Sequence, residues 1–270
     1  MSVSHSEDPA TLEQSWNMML DLAIAYLQAC QAALKGANPS PPSEIVFGKL
    51  IEAGRRVVTL NPENFNSYLF LAQYLRMEPT STKMLEWSQL SPEERLIKAP
   101  ELESPIPLPQ EIFDLYEKAV SLNPNDETTL FQLAWDCVYA EKFDRAEELV
   151  NHALSIKTMN HPTANAILAR VDRGRGNFDS AIIRYRELND KSGLVETYRL
   201  AGQFEEMLSL AETILKECPK HPNVNHSLAQ YFESQGLLKK AAKPLAIYRE
   251  VINERITSNL SSIIEIPTLQ

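Results

Sequence analysis

The sequence predicts an all-α chain, a solenoid of stacked helix-turn-helix repeats with a long insertion in one repeat. Three observations carry this. A Leu-Ala pair recurs within Tyr68–Leu75, Leu130–Cys137, Asn165–Asp172 and Asn225–Phe232, at Leu71-Ala72, Leu133-Ala134, Leu168-Ala169 and Leu228-Ala229. A small residue at that place lets two helices approach closely while larger neighbours fill the gaps. After each later pair a second apolar pattern follows at helical spacing, as in Phe143, Ala146, Val150, Ala153 and Leu154. Finally, Gly is scarce at 8 residues, while the 17 Pro sit mostly between periodic segments, as helices divided by turns require.

The elements follow in order. Residues 1–42 read as one helix and a linker: Asp8-Pro9 opens a helix reaching about Lys35, and Pro39-Ser-Pro-Pro42 stiffens the chain before the next helix near Ser43. Trp16, Met19, Leu20, Leu27 and Cys30 give that first helix an apolar stripe. Residues 43–255 form the repeat array. Leu133, Leu168, Leu194 and Leu228 are separated by 35, 26 and 34 residues. The short interval predicts a shortened helix pair around Arg184 to Leu194. Gly176, Gly202 and Gly236 mark turns between the two helices of a repeat, and Pro244 is expected to kink the last helix or delay its start. After Arg255 the pattern fades into a tail at 256–270.

The interval from Leu71 to Leu133 is 62 residues, so residues 77–107 are an insertion between the two helices of one repeat. It holds five of the prolines, and Ser91-Pro92-Glu93-Glu94 predicts an N-capped helical turn. Such a segment is either a surface excursion or a functional loop. Its Trp87, Leu90, Leu96 and Ile97 argue for partial docking.

With this register the sequence resembles the tetratricopeptide repeat family, whose repeat is about 34 residues long. Leu60-Asn61-Pro62 and Leu122-Asn123-Pro124 look like that family's repeat endings. The resemblance covers roughly residues 44 to 255 and implies a protein-binding solenoid with a right-handed superhelical course. Departures include Asp172, in a slot the family usually fills with an aromatic residue, and the absence of the Lys and Asn pattern with which some members clamp a partner's terminal carboxylate.

Chemistry-bearing motifs are missing: no phosphate-binding loop, dinucleotide fingerprint, zinc-protease motif or nucleophile elbow occurs. Arg173-Gly-Arg-Gly176 reads as the end of a helix and its turn. His161-Pro162 and His221-Pro222 recur at the same place in two repeats without metal-spaced partners. No cofactor or metal is expected, and the chain is read as non-catalytic. The net charge of −10 disfavours a phosphate-led nucleic-acid binder. Three dispersed cysteines, no secretory leader and no apolar run long enough for a membrane span point to the cytoplasm.

Function is therefore expected on the concave face, lined by the first helix of each repeat. The resemblance puts Phe70, Gln73, Phe131, Trp135 and Tyr139 in its N-terminal half, Arg170, Arg173 and Arg199 in its middle, and His226 and Gln230 further on. The aromatics are either interface anchors or packed against a neighbouring helix. The arginines either read an acidic feature of a partner or pair with nearby Asp and Glu, with Glu196 the nearest. The leading expectation is an adaptor or scaffold binding a protein or peptide, a role compatible with self-association. An RNA-binding helical repeat and a chaperone or accessory subunit of a larger assembly are the alternatives.

Overall fold

The computed structural model describes residues 43–103, 107–156 and 161–262. The expected first helix, its Pro-rich linker and the end of the tail lie outside the described residues. Those described form twelve α-helices and no strand. In chain order they are α1 (Ser43–Leu60), α2 (Phe65–Ser88), α3 (Pro92–Glu103), α4 (Gln110–Leu122), α5 (Glu127–Tyr139) and α6 (Phe143–Ile156). Then follow α7 (Pro162–Gly174), α8 (Phe178–Glu187), α9 (Lys191–Leu200), α10 (Phe204–Glu217), α11 (Pro222–Ser234) and α12 (Leu238–Ser262). Contacts divide the chain into two compact units. One is Leu130–Glu254, and the other comprises the described residues up to Thr129 and from Arg255.

In the unit that begins the chain, α1 packs on α2, and α2 packs on both α3 and α4. The Leu71-Ala72 pair is buried in this packing, with Ala72 fully enclosed. Segment 77–103 is helical almost throughout, which corrects the expectation of a loop with one helical turn. The second helix simply runs on through Pro79 to Ser88, and α3 is a full helix of 12 residues. Its start is a capping box. The Ser91 hydroxyl accepts from the Glu94 amide (3.3 Å), and the Glu94 carboxylate accepts from the Ser91 amide (3.0 Å) and hydroxyl (2.8 Å). These bonds hold the Glu94 carboxyl below its ordinary pKa. Trp87 docks α3: it is 2% exposed, its indole N–H donates to the Arg95 carbonyl (3.1 Å), and the Arg95 guanidinium lies over its ring. Leu96 and Ile97 stay exposed.

The unit Leu130–Glu254 shows the repeat most plainly. Helices pack in sequence, α6 on α7, α7 on α8, α8 on α9, α9 on α10 and α10 on α11, and α9 also packs directly on α11. The Leu-Ala register is the core: Ala134, Ala146, Ala169, Ala181 and Ala229 are all buried at helix contacts. The turn inside each repeat has one hydrogen-bond pattern. Lys142, Asn177, Gln203 and Leu237 each donate their amide to a carbonyl five residues back, at 2.8–2.9 Å. That pattern needs a left-handed residue just before the donor. Glycine fills it at Gly176, Gly202 and Gly236 (φ 80°, 73° and 70°), and Glu141 fills it at φ 56°. Asn189, at φ 53°, makes the same turn between α8 and α9. As the 26-residue interval predicts, α8 and α9 are short, at 10 residues each. The last helix neither waits for Pro244 nor stops at Arg255; it begins at Leu238 and contains both.

Candidate functional site

Helix α7 carries Arg170 and Arg173, three residues apart and so on one face. Neither guanidinium makes an ion pair among the described residues. Arg170 lies against two rings of α5, 5.0 Å from the Trp135 centre and 5.8 Å from that of Tyr139, and donates a long bond to the Tyr139 hydroxyl (3.4 Å). Trp135 and Tyr139 are themselves stacked at 6.2 Å, and Tyr139 is exposed. Arg173 lies 5.6 Å from the centre of the Tyr185 ring. Ring faces carry partial negative charge, so they orient a guanidinium without consuming its N–H donors, one of which Arg170 gives to Tyr139.

Both arginines open into a concavity of about 260 Å³, whose opposite wall is the start of α9 and of α11. Asp190 caps α9 there: its Oδ1 accepts the Gly193 amide and the Ser192 hydroxyl, both at 2.8 Å. Gly193 allows this wall to exist. A Cβ on it would lie 2.5 Å from two Tyr185 ring carbons and 2.7 Å from Asp190 Oδ2. Tyr185 is 3% exposed, and its hydroxyl is buried with no hydrogen-bond partner among the described residues. A buried polar group left unpaired in this way costs about 1–3 kcal/mol. Burial pushes its pKa up, against a weaker downward pull from Arg173 and Arg170.

Arg199 behaves differently from its two neighbours. It is chelated by Glu196 of its own helix, Nε at 2.9 Å and Nη2 at 2.7 Å, and Glu196 also accepts from the Ser227 hydroxyl at 2.8 Å. Burial works to raise the Glu196 pKa, but the bonds and charge of Arg199, the Ser227 hydroxyl and the nearby charge of Arg173 outweigh it and hold the carboxyl below its ordinary value. The arginine row is thus two open cations and one internal ion pair.

The other expected positions are dispersed. Phe131 is buried and stacked on His161 at 4.8 Å, so it is packing rather than an open anchor. His226 lines the concavity and stacks flat on Tyr248 at 4.3 Å. Gln230 is half-buried on the same helix. Phe70 and Gln73, half-buried on α2, belong to the other unit. Sequence reading missed Tyr185, Asp190, Ser192, Gly193 and Ser227. Of these, Asp190 had a signal, an Asp immediately before a helical run, which is an N-cap pattern.

Residues 130–254 contain almost as many Lys and Arg as Asp and Glu, so most of the charge of −10 lies elsewhere in the chain. Among the described residues no cluster of three His, Cys, Asp or Glu is placed to hold a metal ion, and no helix is long and apolar enough to cross a membrane.

No protein-family model matches the sequence, and no curated protein does. Solved structures do match. One is the crystal structure of a tetratricopeptide repeat protein from Parabacteroides merdae ATCC 43184 at 2.39 Å resolution, with a TM-score of 0.50 and 17% identity over 93% of this chain and 99% of that one. At that identity the likeness concerns the fold alone, and it agrees with the helix pairs described above.

Proposed function

We propose that this tetratricopeptide-type solenoid is a non-catalytic adaptor whose Arg170 and Arg173 take an acidic group on a segment of a partner protein. One observation carries the reading. Two half-buried guanidiniums without carboxylate partners among the described residues are held on aromatic faces and open into one concavity. Arginine in that state offers a planar fork of donors to a carboxylate, and no internal ion pair has to break first. Trp135 and Tyr139 supply apolar area beside it for the residues that flank the acid. Residues 130–254 are themselves near-neutral, so the unit that holds the concavity adds little repulsion of its own. Cys137 and Cys218 are not joined to each other by a disulfide, which suits the cytoplasmic placement we adopt.

Fluorescence anisotropy of the full chain with labelled ten-residue peptides, acidic, neutral and basic, and with a single-stranded RNA of matched length tests the reading. Acidic peptides are expected to bind best. Arg170→Glu with Arg173→Glu should weaken them at least tenfold, about the worth of one charge-assisted hydrogen bond, with little change in Tm. Binding of acidic peptides that survives both reversals, or RNA that binds more tightly than any peptide, overturns it.

A further inference from the structure

We infer that the concavity is built for a mixed-charge group, a carboxylate against Arg170 and Arg173 beside a hydrogen-bond donor, ammonium or amide, against Asp190. This rests on the adaptor reading and names what its partner segment presents. The two walls differ in sign. On the α7 side every polar atom offered is a donor. On the α9 side Asp190 keeps Oδ1 for Gly193 and Ser192, and its Oδ2 has no hydrogen-bond partner among the described residues. The Ser192 and Ser227 hydroxyl protons are already given to Asp190 and Glu196, so those oxygens present lone pairs only. Glu196 is neutralised by Arg199 and adds little net charge.

Opposite charges therefore line one space without pairing with each other. The Asp190 carboxylate is tied to its helix start, and the guanidiniums lean on the rings of Trp135, Tyr139 and Tyr185. A purely acidic group such as a phosphate would satisfy one wall and, apart from Asn223 and His226 on α11, face lone pairs and a carboxylate on the other. A purely basic group would meet two cations. Only a group carrying both functions satisfies both walls. Adjacent acidic and basic residues of a segment present this chemistry, and so does a free amino acid through its α-carboxylate and α-ammonium.

The test uses the full chain and end-blocked, labelled ten-residue peptides whose Gly-Ser frame carries Glu-Lys, Lys-Glu, Glu-Glu or Lys-Lys at its centre. A mixed pair is expected to bind about tenfold more tightly than Glu-Glu, the worth of one added charged hydrogen bond. Asp190→Asn keeps an N-cap acceptor for Gly193 and removes only the charge. It should bring the mixed pair down to the Glu-Glu level while leaving Glu-Glu unchanged or tighter. Displacement by excess free L-alanine supports the chemistry and assigns it to an amino acid rather than a segment. Glu-Glu binding at least as tightly as either mixed pair, or a mixed preference that survives Asp190→Asn, overturns this inference alone. Failure of every acid-bearing peptide to depend on Arg170 and Arg173 overturns the adaptor reading and this inference with it.

Discussion

Replacing Glu196 with Gln removes a charge and nothing else of size. In the structure this carboxylate accepts three hydrogen bonds, two from Arg199 at 2.9 and 2.7 Å and one from Ser227 at 2.8 Å. An isolated buried bond to a charged group is worth about 1.5–3 kcal/mol. Here the Arg199 and Glu196 side chains are 19% and 28% exposed, so water screens part of the attraction, and Gln keeps one acceptor oxygen. We take about 1–2 kcal/mol for the whole change, which at this chain length is a fall of about 2–8 °C in Tm near neutral pH. The pH dependence gives the sharper check. The folded-state pKa of Glu196 is depressed, so its contribution is fully present above the unfolded carboxyl value of about 4.3 and is lost as pH falls through the lower folded value. Thermal melts of the parent chain and Glu196→Gln, followed by circular dichroism from pH 7 downward, should therefore differ at neutral pH and converge in acid. A difference that stays constant with pH, or widens as pH falls, would refute the reasoning, because it would mean the carboxylate is not stabilised as an anion.

Two further outcomes concern the scaffold. Ala169→Leu forces three extra carbons into a fully enclosed contact between α7 and its neighbours and should cost about 1–3 kcal/mol, read as a lower denaturation midpoint; an unchanged midpoint would show that the Leu-Ala register does not set the helix approach. Gly202 has open space around it but φ of 73°, so Gly202→Ala should cost about 1 kcal/mol from backbone strain alone, and Gly202→Asn clearly less. Asn189 already holds such a turn in this chain, so equal losses for Ala and Asn would contradict the assignment of the cost to φ.

The repeat was legible because its signal is redundant. Each Leu-Ala pair, each turn and each interval of about 34 residues states the same packing again, and the shortened pair at α8 and α9 shows as one interval of 26. The insertion was not legible as helix because Pro79 and Pro100 read as breakers. Proline removes one amide donor and crowds one carbonyl, a local loss that tertiary packing around Trp87 and Ala99 offsets. Arg170 and Arg173 could be placed on one face from their spacing. That Arg199 would be claimed by Glu196 was visible as an i, i+3 pair, but which of the two readings held depended on rotamers. Tyr185 and Asp190 were hidden for another reason. They belong to the second helix of a repeat and to the loop after it, where an apolar stripe and an N-cap explain both residues before any site is considered.

Why Arg170 and Arg173 have no carboxylate partner among the described residues is a question of commitment rather than supply. Elsewhere in the same unit cations find acids: Arg175 pairs with Asp144 and Glu147, Arg184 with Asp172, Arg199 with Glu196 and Lys220 with Glu250. Asp190 and Glu196 line the very concavity into which the two arginines open, yet one is fixed as a helix cap and the other as half of a local pair. The arginines meanwhile rest on rings, which hold their direction at a smaller gain than an ion pair gives. Ordering a guanidinium in advance lowers the entropy that a ligand would otherwise have to supply, and leaving it unpaired means no salt bridge has to break on binding. On the proposed reading, the arrangement gives up a little stability in the free protein in exchange for affinity for the partner segment.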